Sequence, residues 1–429
     1  MTNFADVPTG WKVVRLGDHV AYLKTISLSR AQLDEGSPVR YLHYGDIHTR
    51  ASVKLPAGEE PMPRAPGDLI GNAGILEEGD LVFADASEDP DGVGKSVEIT
   101  STPDAGLVAG THTIAARFDK CVLADGFKGY LQFIPAFRDA LLRLAAGTKV
   151  LATTRSYISS VELALPPVEE QRAIARALGD VDDLVEALQR AIRKKQDVRI
   201  GLAQQLLTGR MRLPSFTGDW PVMRLGDHVT YVKTISLSRA QLDQDSPVRY
   251  LHYGDIHTRD SVKLPAGEEF MPRAPGDLIG SAGMLEKGDL VFADASEDPD
   301  GVGKSVEITS VPPEGVIAGS HTIAARFDKD VLADGFKGYL QFIPAFRDAL
   351  LRLAAGTKVL ATTRSYISSV ELALPLAEEQ RAIAEVLGDA DAEIEALQRR
   401  LDKTLLIREG MMQELLTGRT RLPDAEVAA

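Results

Sequence analysis

The second half of this chain repeats the first at a constant offset of 209 residues and without a gap, so that Trp11 maps to Trp220, Gly147 to Gly356, Gln171 to Gln380 and Gly209 to Gly418. That offset far exceeds the about 20 to 50 residues of a solenoid repeat, so each copy is the size of a domain and the chain is a tandem duplication. The likeness is uneven. From Arg15 to Pro166 only 16 of 152 positions differ from the second copy, whereas the stretch that follows, as far as Arg210, differs at roughly half of its positions. Each copy therefore has two parts under different constraints.

The first part alternates strand-like runs (VRYLHY, GDLVFADA, HTIAARF) with Gly, Pro and Asp punctuation, and then turns helical around FKGYLQFIPAFRDALLRLAAG. It predicts an α+β globule, mixed α/β in its layers. The second part predicts one long helix. Ile174, Leu178, Val181, Val185, Leu188 and Ile192 step by four and three, and the register returns in Ile383, Leu387, Ile394, Leu397 and Leu401. An apolar spacing of about 3.5 residues is a coiled-coil seam, whereas a helix lying on its own globule would show a wider stripe. Roughly 40 residues at about 1.5 Å each give a rod of about 60 Å. The expected boundaries are 1–165 and 213–374 for the globules, and 166–212 and 375–429 for the helices, the last with a tail. Two helices in one chain meet at high effective concentration and should pair with each other. The charges favour it mildly: nine Lys/Arg against seven Asp/Glu over 166–212, and seven against ten over 375–421. The seam alone does not choose the direction of pairing. An antiparallel choice would place one globule at each end, about a pseudo-twofold axis.

Composition and motifs exclude several functions. The start has no basic stretch leading into an apolar one, and no apolar run approaches the ~18 residues of a membrane span, which predicts a cytoplasmic protein with no membrane contact. Cys121 is the only cysteine and its repeat partner is Asp330, so no disulfide framework or thiolate metal site is available. DGVGKS, at 91–96 and 300–305, ends like a phosphate-binding loop, but Asp89 and Asp298 stand where the first glycine belongs. A strand pattern, SVEIT, follows instead of a helix, so the stretch predicts a glycine-containing loop between two strands. The eight histidines form four repeated pairs. His43 and His48 lie in a predicted strand and its exit turn, on opposite faces, so no metal site is expected. No catalytic motif is found, and the chain reads as a binder without a cofactor of its own.

Three stretches per copy combine hydrogen-bond donors with turn chemistry suited to a polyanion. They contain Lys24, Thr25, Ser27 and Arg30; His43, Tyr44, His48 and Arg50; and Lys149, Thr153, Thr154, Arg155 and Tyr157. Their counterparts are Lys233, Thr234, Ser236 and Arg239; His252, Tyr253, His257 and Arg259; and Lys358, Thr362, Thr363, Arg364 and Tyr366. His112 and His321 join them, as do Lys95, Ser96, Lys304 and Ser305 of the repeated glycine loop. Taken singly, each is also an ordinary solvated residue; the density raises the DNA reading. The formal net charge of −14 runs against a broad basic footprint, so a DNA-facing surface must be local or shared with partners.

The organisation then resembles a known family. LPPVEEQRAIARAL at 165–178, repeated as LPLAEEQRAIAEVL at 374–387, is similar to the opening of the conserved helices in DNA-specificity subunits of type I restriction-modification systems. VPTGWKVVRLGDHV and LPSFTGDWPVMRLGDHV resemble that family's domain openings, QQLLTGRMRLP its helix exit, and AAGTKVLATTRSYISSVELALP the close of a recognition domain. The resemblance covers nearly the whole chain. It implies a non-catalytic subunit whose two target-recognition domains each bind half of a bipartite site on double-stranded DNA, spaced by an antiparallel coiled coil. It further implies two methyltransferase subunits that methylate adenine with S-adenosylmethionine, and ATP-driven restriction subunits held through them. Both cofactors are expected only on those partners.

The departure from the family pattern is that the two domains are nearly the same. Equal readers about a twofold axis should bind a near-palindromic target. Glu35 against Gln244, Pro61 against Phe270, Asn72 against Ser281 and Thr102 against Val311 leave room for one half to differ. The alternatives are a protein-protein scaffold built on a duplicated domain and, on DGVGKS alone, a nucleotide-dependent enzyme.

Overall fold

A computed structural model describes residues 7–145, 150–354 and 360–422, and the chain divides into two compact units, one of 1–189 with 400–429 and the other of 190–399. In the first unit a five-stranded sheet runs Val20–Tyr22, Thr113–Phe118, Leu81–Ala84, Ser96–Ser101, Lys54–Pro56. Its pairs are antiparallel except the last, which is parallel. Leu81–Ala84 is apolar at every position because both faces of the sheet are covered. Leu81 and Phe83 pack with Phe118, Phe127, Phe137 and Leu141 on one face. Val82 and Ala84 pack with Val97, Ile99, Leu42 and Ile47 on the other. Phe83, Phe127 and Phe137 are fully buried, and each contributes about 1.5–3 kcal/mol from removal of apolar surface from water.

A three-stranded sheet, Arg64–Ala65, Val39–Leu42, Leu107–Ala109, forms a second layer. The antiparallel ribbon of Lys12–Arg15 with Glu162–Leu165 clasps the beginning of the globule to its end. The helical patch becomes a 3-10 turn at Lys128–Phe133 and an α-helix at Pro135–Ala145, opened by a proline whose missing N–H costs nothing there.

The second unit repeats this order: Val229–Val232, Thr322–Phe327, Leu290–Ala293, Ser305–Ser310, Lys263–Pro265, with Arg273–Ala274, Val248–Leu251, Val316–Ala318 in its second sheet.

Each globule leads into a 39-residue helix, Val168–Leu206 or Ala377–Leu415. The EEQ of the repeated motif has a structural explanation at this junction. Gln171 is buried; its Oε1 accepts from Ala124 N at 2.9 Å, and its Nε2 donates to Val122 O at 2.8 Å and Pro166 O at 2.9 Å, tying the first turn to the globule. Gln380 does the same with Ala333, Val331 and Pro375. At the far end Gly418 has φ +70°, and a Cβ there would lie 2.6 Å from Pro8 Cγ and 2.9 Å from Trp11, which explains the Thr-Gly-Arg stop.

The direction of pairing is read inside each unit. In the first, Asp182 of the first helix meets Arg408 of the second, and Glu170 meets Arg421. In the second, Arg199 meets Asp391 at 2.8 Å, Lys195 meets Glu393 at 2.7 Å, and Arg212 meets Glu379 at 2.6 Å. Moving up one helix moves down the other, so the pairing is antiparallel. Along the expected seam Ile174, Leu178, Val185, Leu188, Ile192, Ile383, Leu387 and Leu401 are buried, and Val181, Ile394 and Leu397 are half-buried. Ile174 and Leu178 also belong to the globule's own core, together with Leu415 and Leu416, and Ile383 and Leu387 are matched by Leu206 and Leu207 in the second unit. Each helix therefore begins as a wall of its globule, a packing the apolar spacing alone did not show.

One local expectation is corrected. The strand Val39–Leu42 stops before His43, and Tyr44–His48 is a short helix rather than a strand and exit turn. His43 is its N-cap: Nδ1 accepts from Gly45 N at 3.1 Å while Asp46 accepts from His43 N at 2.9 Å.

Candidate nucleic-acid interface

The expected loops are joined by a chain of contacts. In the first unit Arg155 Nη2 donates to Leu23 O at 2.9 Å, and its guanidinium carbon lies 5.6 Å from the Tyr22 ring centroid. Burial pushes the Tyr22 phenol up, against a hydrogen bond from Ser159 and the charge of Arg155. Lys24 Nζ donates to Asn72. Ser27 Oγ lies 3.1 Å from Thr111 Oγ1, which lies 3.0 Å from the hydroxyl of fully buried Tyr41. Tyr41 also accepts from Thr111 N at 2.8 Å. Gly110 lets this happen, since a Cβ there would stand 2.2 Å from the Tyr41 ring. Thr111 leads to His112, whose φ of +58° places a non-glycine residue in the left-handed region. Its ring meets Tyr44 edge-on at 5.6 Å, and Tyr44 meets His48 at 6.0 Å.

The second unit repeats most of this arrangement. Arg364 lies over Tyr231, Lys233 donates to Ser281, and Ser236 and Ser320 are 2.8 Å apart. Tyr253 meets His321 at 5.6 Å, and His321 has φ +57°. Burial lowers the pKa of His252, aided by Arg239 and opposed by Asp255. Thr111 and Ser320 are one of the differences between the copies, and both supply the hydroxyl this network uses.

Lys24, Ser27, Arg30, Tyr44, His112 and Arg155 are exposed, as are Lys233, Ser236, Arg239, Tyr253, His321 and Arg364; Thr25, His43, Tyr157 and their counterparts Thr234, His252 and Tyr366 are half-buried. Other candidates are turned inward. Ser96, Ser305, Thr153 and Thr362 are buried, which takes them out of reach of a duplex. Lys95 Nζ donates to His48 O at 2.5 Å, and Lys304 to His257 O at 2.6 Å; burial holds the Lys95 ammonium below its ordinary value. The glycine loop is thus an internal tie between two strands, with Asp89 capping the turn Pro90–Gly92. His48 and His257 each bond a carbonyl, of Ala86 and Ala295, at 2.9 Å. Arg50 and Arg259 are engaged by Glu60 and Glu269. Thr154 and Thr363 cap the helices Arg155–Ser160 and Arg364–Ser369. Lys149 and Lys358 lie outside the described residues.

Asp85 and Asp294 were missed. Each stands beside its histidine, with a carboxylate oxygen 3.3 Å from Nδ1 of His112 or His321. The available signal was GDLVFADA, kept unchanged in both copies. Also missed was the junction of Tyr130, Asp182 and Arg408, with its mirror Tyr339, Asp391 and Arg199. These six are kept at the repeat offset inside or beside helices that otherwise diverged.

Among the described residues no group of three His, Cys, Asp or Glu could hold a metal ion, and no helix is long and apolar enough to cross a membrane.

No protein-family model matches the chain. It is 22% identical over 431 residues to the type I restriction enzyme MjaVIII specificity subunit of Methanocaldococcus jannaschii, covering 97% of this chain and 94% of that one. It is also 22% identical over 437 residues to the putative MjaX specificity subunit of the same organism, covering 98% and 96%. Among solved structures, the type I restriction-modification S subunit from M. genitalium superposes with a TM-score of 0.59 at 13% identity, over 97% of this chain and 98% of that one. A chain from a study of complex assembly and conformational transition in the type I R-M system gives 0.51 at 17% identity, over 97% and 100%. The resemblance read from the repeated LP-x-x-EEQRAI motif is borne out: over nearly its whole length this chain is similar in sequence to type I restriction enzyme specificity subunits and similar in fold to a type I restriction-modification S subunit.

Proposed function

We propose that the chain reads a bipartite, near-palindromic duplex DNA site and directs adenine methylation, and restriction, by partner subunits, without catalysis of its own. The observation that carries this reading is the pair of matched faces: every exposed candidate of the first unit has an identical residue at the equivalent position in the second. Arg30, Lys24, Arg155 and the imidazole of His43 supply donors for phosphates and base edges. A face so sparsely basic on an acidic chain implies that affinity is shared with two methyltransferase subunits, which carry S-adenosylmethionine and extract the target base. ATP belongs to the restriction subunits, and the complex works in the cytoplasm.

The test is duplex binding by the chain assembled with its methyltransferase, measured against salt. Phosphate contacts release counterions, so log K should fall linearly with log salt, and doubling the number of matched half-sites from one to two should tighten binding. Salt-independent association, or equal affinity for any duplex, would favour the protein scaffold instead.

A further inference from the structure

The strained histidines are placed for a task that phosphate contact does not explain. His112 and His321 are exposed, yet each is held in the left-handed backbone region, at φ +58° and +57°. Such strain persists where the surroundings over-determine it. Here the carbonyl of His112 accepts from Asp85 N at 3.1 Å, Thr113 pairs with Ala84 in the sheet, and Tyr44 abuts the ring. The ring overlooks a pocket that includes Tyr44, His48, Asp85, Ser87 and Glu88. That lining carries carboxylates and would repel a phosphate. It would welcome a hydrogen-bond donor.

We infer that His112 and His321 each read an exocyclic amino group on a base edge, cytosine N4 being the best match, with Asp85 and Asp294 as positioning residues. This rests on the DNA-reading function proposed above. The chemistry follows from the tautomer. Nδ1 faces the Asp85 carboxylate, 3.3 Å from Oδ1 and 3.4 Å from Oδ2. A carboxylate only accepts, so in the neutral ring the proton sits on Nδ1 and Nε2 is left as an acceptor. In the major groove the exocyclic amino groups of cytosine and adenine are the donors, and adenine sets its N7 acceptor beside the amino group, where it would face Nε2 and the carboxylates. Cytosine itself carries no acceptor in the major groove, so its amino group is flanked only by guanine O6, whereas that of adenine has N7 on one side and thymine O4 on the other. The geometry recurs in the second unit, with His321 Nδ1 3.3 Å from Asp294.

The duplication supplies an internal control. His112→Gly removes the ring while glycine accepts the backbone without strain, and His321→Gly is its mirror. Each variant, assembled with the methyltransferase, is read by genome-wide mapping of modified adenines. The expected result is about a tenfold loss of discrimination at one C·G pair of one half-site, with the other half-site unchanged and the double variant relaxed at both. Asp85→Ala, which keeps the ring but frees its tautomer, should relax the same position by less, and it decides the matter if the glycine variant does not fold. Unchanged selectivity at every position in these variants overturns the inference. If the unaltered complex directs no sequence-defined methylation, the DNA-reading function itself fails.

Discussion

Asp182 is the residue on which three elements of the first unit converge. Tyr130 donates its hydroxyl to Oδ2 at 2.7 Å from the globule, Arg408 donates to Oδ1 from the second helix, and Asp182 itself belongs to the first helix. The Asp182 side chain is 7% exposed and that of Arg408 17%, and the guanidinium also lies 5.4 Å from the Phe133 ring centroid. Asp182→Ala strands a largely buried cation. Breaking a buried pair costs about 3–5 kcal/mol, and the partial exposure of Arg408 puts this case near 3. The orphaned phenol adds about 1 kcal/mol. At about 2–4 °C per kcal/mol for a unit of this size, the loss of about 4 kcal/mol lowers Tm by about 8–16 °C. Calorimetry of the chain and of its Asp391→Ala counterpart measures this. A double-mutant cycle with Arg408→Ala should show coupling above about 1.5 kcal/mol. A Tm within about 2 °C of the unaltered chain, or additive single effects, would refute the claim that this junction fixes the globule on the helix pair.

Three further outcomes are expected. Gln171→Leu leaves the N–H of Ala124 and the carbonyls of Val122 and Pro166 without their partner, so stability should fall by about 3 kcal/mol, read by urea denaturation. Burial and the neighbouring Asp182 or Asp391 push the phenols of Tyr130 and Tyr339 far above their usual 10.0. As pH rises past that value the unfolded chain gives up these protons first, so stability should fall, and Tyr130→Phe with Tyr339→Phe should flatten the slope measured between about pH 9 and 11. Lys95→Met with Lys304→Met should lower stability by about 1 kcal/mol per site while leaving the salt slope of DNA binding unchanged, since both ammonium groups bond carbonyls inside their units.

The architecture was legible because a gapless duplication and a long apolar repeat are global signals. The direction of helix pairing was not, because the seam is satisfied either way; it is fixed by ion pairs such as Arg199–Asp391, whose partners are far apart in sequence. The site was legible as loops rather than as residues. Lys95, Thr153 and Ser96 have polar side chains in turn-rich stretches, but the fold turns them toward a carbonyl or into the core. Asp85 directly follows the buried strand Leu81–Ala84, and its role depends on His112, 27 residues further on, which only the fold brings beside it. The short helix at Tyr44–His48 was hidden because aromatic and β-branched residues precede it, while its cap depends on an imidazole in place of the usual hydroxyl or carboxylate.

The central claim is that two equal readers make one symmetric target. Co-expression of the chain with its methyltransferase, followed by mapping of modified adenines across a genome, tests it directly. The account predicts an inverted repeat, two copies of one half-site separated by a fixed non-specific spacer, with one adenine modified in each half. Two unrelated half-sites would contradict it.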